Sequence, residues 1–496
     1  MRGHDSFVTM GGHGAFWNAV CGVLSVEKYD TGRYACNRAA LEGMKAAGLF
    51  YDQESLARSG DRLPDLLRDT DFLNEQLGAI FAQSPAAPSE KVVGLGWGFD
   101  SGYMDFVDLA FQVFGKEIGS PYYLYFLLLS MSSLVFIICF NNSLFSLLIL
   151  YLFHYTLNQF VALDLLDAWS LESVTNPRFL TTLAIVPVLH LTLLLLCRAR
   201  PSVMAFSLAL PQAALMVFAA NLRTSAFWTV IALTLFCIVL WAVSRRRDAL
   251  IRCWPGGMVV ALTLAAAIFV GLSSDPRLAE QGWTRNHGFW SSVYYSLQHH
   301  PDWQRKSAAL HGGTTGDGPA LAAVQAYMDR HGLSDDKSAF RDDGYLRNTH
   351  VERYLRGAFF EFLAKDPTYV LETFLVYNSL SIFNLSHRGF AWSLIAEIGW
   401  GFATLLLFFA AAGVIEIQRG RDTLPNMAAG CGVLAALALL AAAPNWATVV
   451  IIDSMHDASL MAGIAAMVAI YVALVGLGLF GLRALSGMQP SRAEEP

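Results

Sequence analysis

The chain has 496 residues, of which 55% are hydrophobic and 15% are charged, whereas charged residues make up about 25% of an average soluble domain. Much of the chain therefore does not require a water-facing surface. The net charge of −6, without a long tract of Lys and Arg, argues against nucleic acid as the main partner, because phosphate binding requires a concentrated basic face.

Residues 1–121 form a polar, mixed segment before the first long apolar run. They contain Cys21 and Cys36, which could form a disulfide if the segment lies outside the cytoplasm; two unpaired thiols are the alternative. Near the end of this segment, residues 103–114 carry apolar side chains at helical spacing. We expect these residues to form an amphipathic helix that lies along the membrane surface.

Apolar runs follow that suit membrane-spanning helices, each of which needs about 20 mostly apolar residues. The runs cover residues 122–140, 144–163, 179–197, 202–221, 226–244, 256–273, 393–415, 425–443 and 459–482. The sequence therefore predicts an all-α fold, a polytopic membrane bundle of about nine helices. Six helices lie in residues 122–273 and three in residues 393–482, with the polar segment 274–392 between them.

The arginines in the short loops predict the orientation of this bundle, because cytoplasmic loops are enriched in Lys and Arg. If residues 1–121 lie outside, the cytoplasmic loops and tail carry ten arginines, and the outer loops carry only Arg178 and Arg223. We therefore expect a multi-pass cell membrane protein of the bacterial inner-membrane type, with both polar segments outside and a disordered cytoplasmic tail, residues 483–496. Export of the first polar segment then predicts an additional membrane helix upstream of Met1.

The second polar segment, residues 274–392, contains two further helical patterns. Apolar residues recur at helical spacing in residues 319–331 and 346–365. Asp366 and Pro367 then predict a break and the start of a new helix, because proline is favoured in the first helical turn. We expect this segment to form a small helical unit outside the membrane.

Three groups of polar residues could carry chemistry, and the first lies just before the first apolar run. Asp100 and Asp105 stand among aromatic residues, and apolar neighbours raise the pKa of a carboxylate toward the range of a general base. The same carboxylates could hold a divalent cation as a cofactor against a phosphate-bearing substrate. The alternative is that they form the solvated face and the cap of an amphipathic helix.

The second group lies near the start of the second polar segment and consists of Arg285, His287, Trp290 and Tyr294. Aromatic rings stack on the apolar faces of sugars, and a guanidinium group binds phosphate through two parallel hydrogen bonds. These residues therefore predict a substrate-binding site for a sugar phosphate. The alternative is an aromatic belt at the level of the lipid headgroups.

The third group, Asp453, His456 and Asp457, lies in the outer loop before the last apolar run. Helical spacing places the three side chains on one face, and ionisable groups so close to hydrocarbon point to a function. We expect them to contact the same substrate, and a helix cap at the protein surface is the alternative.

The order of these features resembles the C-type glycosyltransferase superfamily, whose members are polytopic membrane enzymes that use polyprenyl-phosphate-linked sugars. Enzymes of this family carry an essential acidic residue in an outer segment that runs along the membrane, and Asp100 and Asp105 match that position. The resemblance implies that Arg285 binds the substrate phosphate and that Asp453 and His456 line the outer cavity.

The sequence therefore favours a membrane enzyme that transfers a sugar from a lipid-phosphate donor to a cell-envelope acceptor, with membrane lipid and lipid-linked sugar as partners. Two other functions stay open. One is a non-catalytic envelope protein whose outer segments bind a partner, and the other is a transporter of lipid-linked substrates. A transporter predicts paired ionisable residues within several helices, for which His154, His190 and Glu397 are the candidates.

Overall fold

The structure is a computed structural model that describes most of the first three quarters of the chain. The described residues are 10–29, 36–46, 70–82, 92–93, 102–140, 147, 150–151, 154, 179–196, 203–223, 226–243, 247–272, 289–303, 305–306, 318–333 and 349–378. Within them, the regular structure is helical except for one pair of two-residue strands. The predicted all-α fold class is therefore confirmed for this part of the chain.

The N-terminal unit combines helices with one pair of short strands. Its described elements, in chain order, are α1 (Met10–Tyr29), β1 (Cys36–Asn37), α2 (Arg38–Ala46), α3 (Thr70–Ala82), β2 (Val92–Val93) and α4 (Gly102–Phe114). The two strands pair antiparallel, with Cys36 opposite Val93. Helix α1 packs against both β1 and α4, so it forms the centre of this unit.

A disulfide between Cys21 on α1 and Cys36 on β1 joins the first helix to the strand pair. Beside it, the hydroxyl of Ser25 accepts a hydrogen bond from the backbone N–H of Asn37 at 2.6 Å. The Asn37 side chain accepts one from the N–H of Ala39 at 2.7 Å and so caps the start of α2. The sequence allowed either a disulfide or two unpaired thiols at Cys21 and Cys36, and the structure contains the disulfide.

An apolar helical bundle follows the N-terminal unit. Its described helices are α5 (Ser120–Phe140), a 3-10 helix (Phe179–Ala184) that continues into α6 (Ile185–Leu196), α7 (Val203–Leu222), α8 (Phe227–Val243) and α9 (Arg247–Leu272). Helices α5 and α7 are long and apolar enough to cross a membrane. Shorter apolar stretches lie at Leu180–Leu195 and Gly257–Val270.

Several predicted spanning helices lie in parts of the chain that the structure does not describe. These are most of the run 144–163 and all of the runs 393–415, 425–443 and 459–482, together with the predicted tail 483–496. The total of nine spanning helices therefore stays a prediction, whereas helices are present at the other predicted runs.

A second helical unit, here called the outer unit, comprises the described residues between 289 and 378. Its elements are α10 (Phe289–Ser296), a 3-10 helix (Leu297–His299), α11 (Gly318–Arg330), α12 (Thr349–Lys365), α13 (Pro367–Glu372) and a π-helical turn (Thr373–Asn378). The side chain of Asp366 accepts a hydrogen bond from the N–H of Tyr369 at 3.1 Å, with Pro367 in the first turn of α13. The predicted break and restart are confirmed.

Candidate functional site

Asp105 is the predicted catalytic carboxylate that the structure describes, and α4 holds it beside the C-terminal end of α7. The Asp105 side chain is half-buried, and the amide Nδ2 of Asn221 on α7 donates a hydrogen bond to its Oδ2 at 3.5 Å. Asp100 lies outside the described residues. The structure therefore places Asp105 where the N-terminal unit meets the apolar bundle.

The close approach of α4 to α7 depends on Gly102, the first residue of α4. A Cβ atom at this position would lie 2.0 Å from the backbone carbonyl oxygen of Asn221, well inside van der Waals contact. Glycine lets the two backbones meet here because it has no Cβ. The contact lies about one helical turn before Asp105, so it fixes how far the carboxylate stands from α7.

The apolar face that the sequence assigns to α4 packs on protein. Met104, Val107 and Phe111 are buried and Phe114 is half-buried. The ring of Phe111 meets the ring of Phe16 on α1 edge-on, with 6.4 Å between the centroids. The predicted amphipathic helix is therefore present, and its position along a membrane surface stays a prediction.

Asp108, the third carboxylate in this stretch, differs from Asp105 in its contacts. It accepts a hydrogen bond at 3.0 Å from the side-chain amide of Gln112, one turn further along the exposed side of α4. This arrangement fits the alternative interpretation, a solvated helix face. In the part of the chain that the structure describes, no group of three or more His, Cys, Asp or Glu residues could hold a metal ion, so the divalent cation stays a prediction.

The predicted sugar-phosphate site begins with Arg285 and His287, which lie outside the described residues. Trp290 lies in the first turn of α10 and is half-buried. Its ring centroid lies 5.6 Å from that of Phe359 and 5.4 Å from that of Phe360, both on α12. One side of Trp290 therefore packs against the outer unit, which limits the surface that a sugar ring could contact.

Tyr294 lies deeper in the outer unit than its predicted role suggests. Its side chain is 2% exposed, and its ring packs edge-on against Trp303 at 6.2 Å. Burial raises the pKa of the Tyr294 hydroxyl, with a smaller opposing effect of the nearby charge on Arg330. A cleft of about 20 Å³ lies beside it, which holds about one water molecule rather than a sugar ring.

Glu352 on α12 is a partly buried carboxylate that the sequence reasoning missed. Its two oxygens accept hydrogen bonds from the backbone N–H groups of Trp290 at 2.7 Å and Ser291 at 2.9 Å. Burial raises the pKa of Glu352, and the backbone hydrogen bonds oppose this rise. The carboxylate thus caps α10 from another helix and fixes the position of Trp290. Its spacing from the buried Leu355 could have indicated a partly buried position, but not its partners on α10.

Glu361 on α12 is a second carboxylate of the outer unit that accepts hydrogen bonds from more than one side chain. Arg330 and His331 at the end of α11 both contact the carboxylate of Glu361 on α12. Burial acts to raise the pKa of Glu361, but the hydrogen bonds from His331 and Arg330 outweigh it and lower the pKa. The pKa of Asp366 is also lowered, first by its hydrogen bond from Lys306.

His190 on α6 is a fully buried histidine of the apolar bundle. The transporter hypothesis predicts that another ionisable residue pairs with it. Neither ring nitrogen has a hydrogen-bond partner within the described residues. Its ring meets Phe136 and Phe140 of α5, with centroids 6.0 and 5.1 Å away. Two phenyl rings of α5 thus lie beside His190. His154, another candidate, lies 2.8 Å from the Ser133 hydroxyl through Nε2.

The third predicted group, Asp453, His456 and Asp457, lies outside the described residues, as does Glu397. The site that the structure describes therefore consists of Asp105 with Asn221, and separately of Trp290 with its supporting residues. No family model, no curated protein and no solved structure matches this chain. The resemblance to the glycosyltransferase superfamily remains one of layout, and any assignment of function has to rest on these residues.

Proposed function

We propose that this chain is a multi-pass membrane protein of the cell envelope that transfers a sugar from a lipid-phosphate donor to an acceptor outside the cytoplasm. Asp105 is its catalytic carboxylate. The observation that carries the proposal is the position of Asp105, half-buried beside Asn221 where a polar unit meets the apolar helices. About nine helices cross the membrane, and both polar segments lie outside.

The surface of α5 supports the membrane location. Exposed apolar side chains recur every three or four residues along the whole helix, namely Tyr123, Phe126, Leu127, Met131, Leu134, Ile137 and Ile138. Leu134, near the middle of the helix, is 57% exposed. A continuous apolar stripe of this length is unfavourable in water, and lipid is the solvent that would cover it.

The disulfide between Cys21 and Cys36 supports the location of the N-terminal unit outside the cytoplasm. Disulfides form and persist in oxidising compartments and are rare in the cytosol. Because α1 carries Cys21 and packs directly on α4, Asp105 belongs to the same side of the membrane as the disulfide. The disulfide and the arginines in the loops support the same orientation independently of each other.

The proposed chemistry assigns one proton transfer to Asp105. Its carboxylate accepts the proton of the acceptor hydroxyl while that oxygen bonds to the anomeric carbon of the donor. The bond from this carbon to the phosphate oxygen breaks, and the lipid phosphate leaves with the electron pair. Trp290 contacts the sugar with its free ring surface, and Arg285 binds the phosphate. His287, Asp453, His456 and Asp457 complete the proposed substrate site, whereas the buried Tyr294 supports it from the core of the outer unit.

The test compares the Asp105→Asn variant with the Asp108→Asn variant, which is the matched control on the same helix. Each variant is expressed in cells that lack the chromosomal gene, and envelope glycans are compared by mass spectrometry. We expect Asp105→Asn to lose the gene-dependent glycan while the chain keeps its abundance in the membrane, and Asp108→Asn to retain it. Unchanged glycan with Asp105→Asn would remove the catalytic role.

A non-catalytic envelope protein is the second candidate, and the burial of Tyr294 favours it. The ring of Tyr294 belongs to the core of the outer unit and the neighbouring cleft is small, as expected of a structural residue. This function predicts that deletion of the gene leaves every envelope glycan unchanged. The comparison of deletion and complemented cells therefore separates the two functions before any substitution is made.

A further inference from the structure

The outer unit carries a connected apolar surface that its own core does not cover. Five aromatic rings are connected along it: Phe289 lies 5.2 Å from Trp290, and Trp290 lies 5.4 Å from Phe360. Phe359, next to Phe360, stacks on Phe374 of the π-helical turn at 6.1 Å. The connection joins the first turn of α10, the middle of α12 and the last turn of the unit.

Large apolar side chains on these elements and on α13 point into solvent. The exposed members are Phe289, Phe360, Leu371, Leu375 and Val376, which together with Trp290 and Phe374 we call the aromatic surface. Phe360 is 52% exposed and Leu375 is 66% exposed. An exposed apolar patch that combines several elements marks a contact with another apolar body.

The two chain ends of the outer unit lie at this surface. Trp290, one residue after the start of α10, and Phe374, near the end of the described unit, both pack on Phe359. The chain before α10 comes from α9, which ends at Leu272, and the chain after the unit leads to the apolar run 393–415. Both connections toward predicted membrane helices therefore start from the aromatic surface.

We propose that the aromatic surface rests in the headgroup region of the lipid bilayer and holds the outer unit against the membrane. This inference relies on the membrane location given under the proposed function. Aromatic and aliphatic side chains favour the boundary between headgroups and acyl chains, where apolar area leaves water. Connections of the length of residues 273–288 and 379–392 reach at most on the order of 50 Å, so the unit lies within that distance of the predicted membrane helices that they join.

Charged groups of the outer unit form ion pairs with one another: Arg330 and His331, at the end of α11, contact Glu361 on α12. A unit at the interface keeps such hydrated groups in contact with water or headgroups. The consequence for function is that Trp290 would lie at the depth of the phosphate of a lipid-linked sugar.

Spin labels on the full chain in lipid vesicles test this contact. Every cysteine except Cys21 and Cys36 is replaced by serine, and Phe360→Cys and Leu375→Cys are labelled one at a time. Asp329→Cys on the exposed side of α11 is the aqueous control, and Leu134→Cys on α5 reports the membrane location itself. The measurement is label accessibility to oxygen, which concentrates in lipid, and to a water-soluble nickel complex.

We expect the labels at 360 and 375 to be more accessible to oxygen than to the nickel complex, and the label at 329 to show the reverse. If the labels at 360 and 375 behave like that at 329 while Leu134→Cys is accessible to oxygen, the membrane location holds and the docking inference is wrong. If Leu134→Cys also behaves like the aqueous control, the membrane location itself is wrong.

Protein could cover the aromatic surface instead of lipid, and the same labels detect this. Labels at 360 and 375 would then be shielded from both reagents. Dipolar broadening between labels would identify a second copy of the chain, and its absence would identify another segment of the same chain. Either result overturns the lipid contact.

Discussion

Ser132 on α5 and Gln212 on α7 form two hydrogen bonds between helices that are, within the described residues, long and apolar enough to cross a membrane. The Ser132 hydroxyl donates to Gln212 Oε1 at 2.6 Å, and Gln212 Nε2 donates to the backbone carbonyl of Ser132 at 2.8 Å. Both side chains are buried. These bonds satisfy the hydrogen-bonding groups of the Gln212 side chain inside an apolar helix contact, and so they fix the register of α5 against α7.

A double-mutant cycle measures how strongly this pair stabilises the bundle. We expect Ser132→Ala and Gln212→Ala to be coupled by about 0.6 kcal/mol, and by at most about 1.7 kcal/mol, the range found for polar pairs between membrane helices. The measurement is the free energy of unfolding of the full chain in detergent micelles. Ser132→Ala combined with Thr263→Ala is the control, because the Thr263 hydroxyl bonds within its own helix to Val259. Equal coupling in both pairs would contradict a specific contact.

Gly102→Ala tests the contact that positions Asp105. The new Cβ would meet the backbone of α7 at Asn221, and a backbone atom does not swing aside as a side-chain tip does. We expect a loss of about 1–3 kcal/mol in stability and lower sugar transfer, because α4 has to move away from α7. The readouts are the apparent melting temperature and the envelope glycan.

Gly78→Ala on α3 is the matched control for this substitution. No heavy atom lies within 4 Å of the position that its Cβ would occupy. Alanine is favoured over glycine in a helix by up to about 1 kcal/mol, so we expect an unchanged or higher melting temperature. Equal destabilisation by the two substitutions would show that α4 and α7 do not meet closely at Gly102.

The disulfide predicts a measurable link between α1 and β1. We expect two more thiols to react with maleimide in the unfolded chain after reduction than before it, because Cys21 and Cys36 are paired. Cys36→Ser should destabilise the N-terminal unit by about 3 kcal/mol, seen as faster hydrogen exchange in α1. Cys237→Ser in the apolar bundle is the control and should leave α1 exchange unchanged. An unchanged thiol count on reduction would contradict the disulfide.

Local structure in this chain follows from local sequence patterns. The predicted helix at residues 103–114 is α4 (Gly102–Phe114), and the pattern at residues 346–365 is α12 (Thr349–Lys365). The Asn37 cap and the Asp366 cap are also local, because each side chain bonds a backbone N–H two or three residues away. Periodicity and capping act within one turn, so one sequence is sufficient to find them.

Contacts between distant residues could not be found in the same way. Glu352 caps α10 across 62 residues, and Gln212 meets Ser132 across 80 residues. A single sequence shows that each residue is polar in an apolar pattern, but the partner depends on how helices pack. Tyr294 is an example of a residue whose burial the sequence did not show. Its neighbours in the sequence predicted an open sugar site, whereas packing on Trp303 buries its ring.

Glu352 and Glu361, both on α12, predict opposite effects of pH on the outer unit. The pKa of Glu352 is raised in the folded chain, chiefly by burial, so its contribution to stability is present below the unfolded pKa and is lost as pH rises through the folded value. The pKa of Glu361 is lowered, so its contribution is present above the unfolded pKa and is lost as pH falls through the folded value.

Glu352→Gln and Glu361→Gln therefore separate the two contributions. Hydrogen exchange of α10 and α12 is compared with the parent chain at each pH, from about 4 to about 8, around and above the ordinary pKa of glutamate. The stability advantage of the parent over Glu352→Gln should shrink with rising pH, whereas its advantage over Glu361→Gln should grow. Glu352→Gln should also weaken α10 at every pH, because an amide offers one oxygen for the two N–H groups of Trp290 and Ser291. Parallel pH profiles for both variants would mean that the carboxylate of Glu352 is not held in this buried cap.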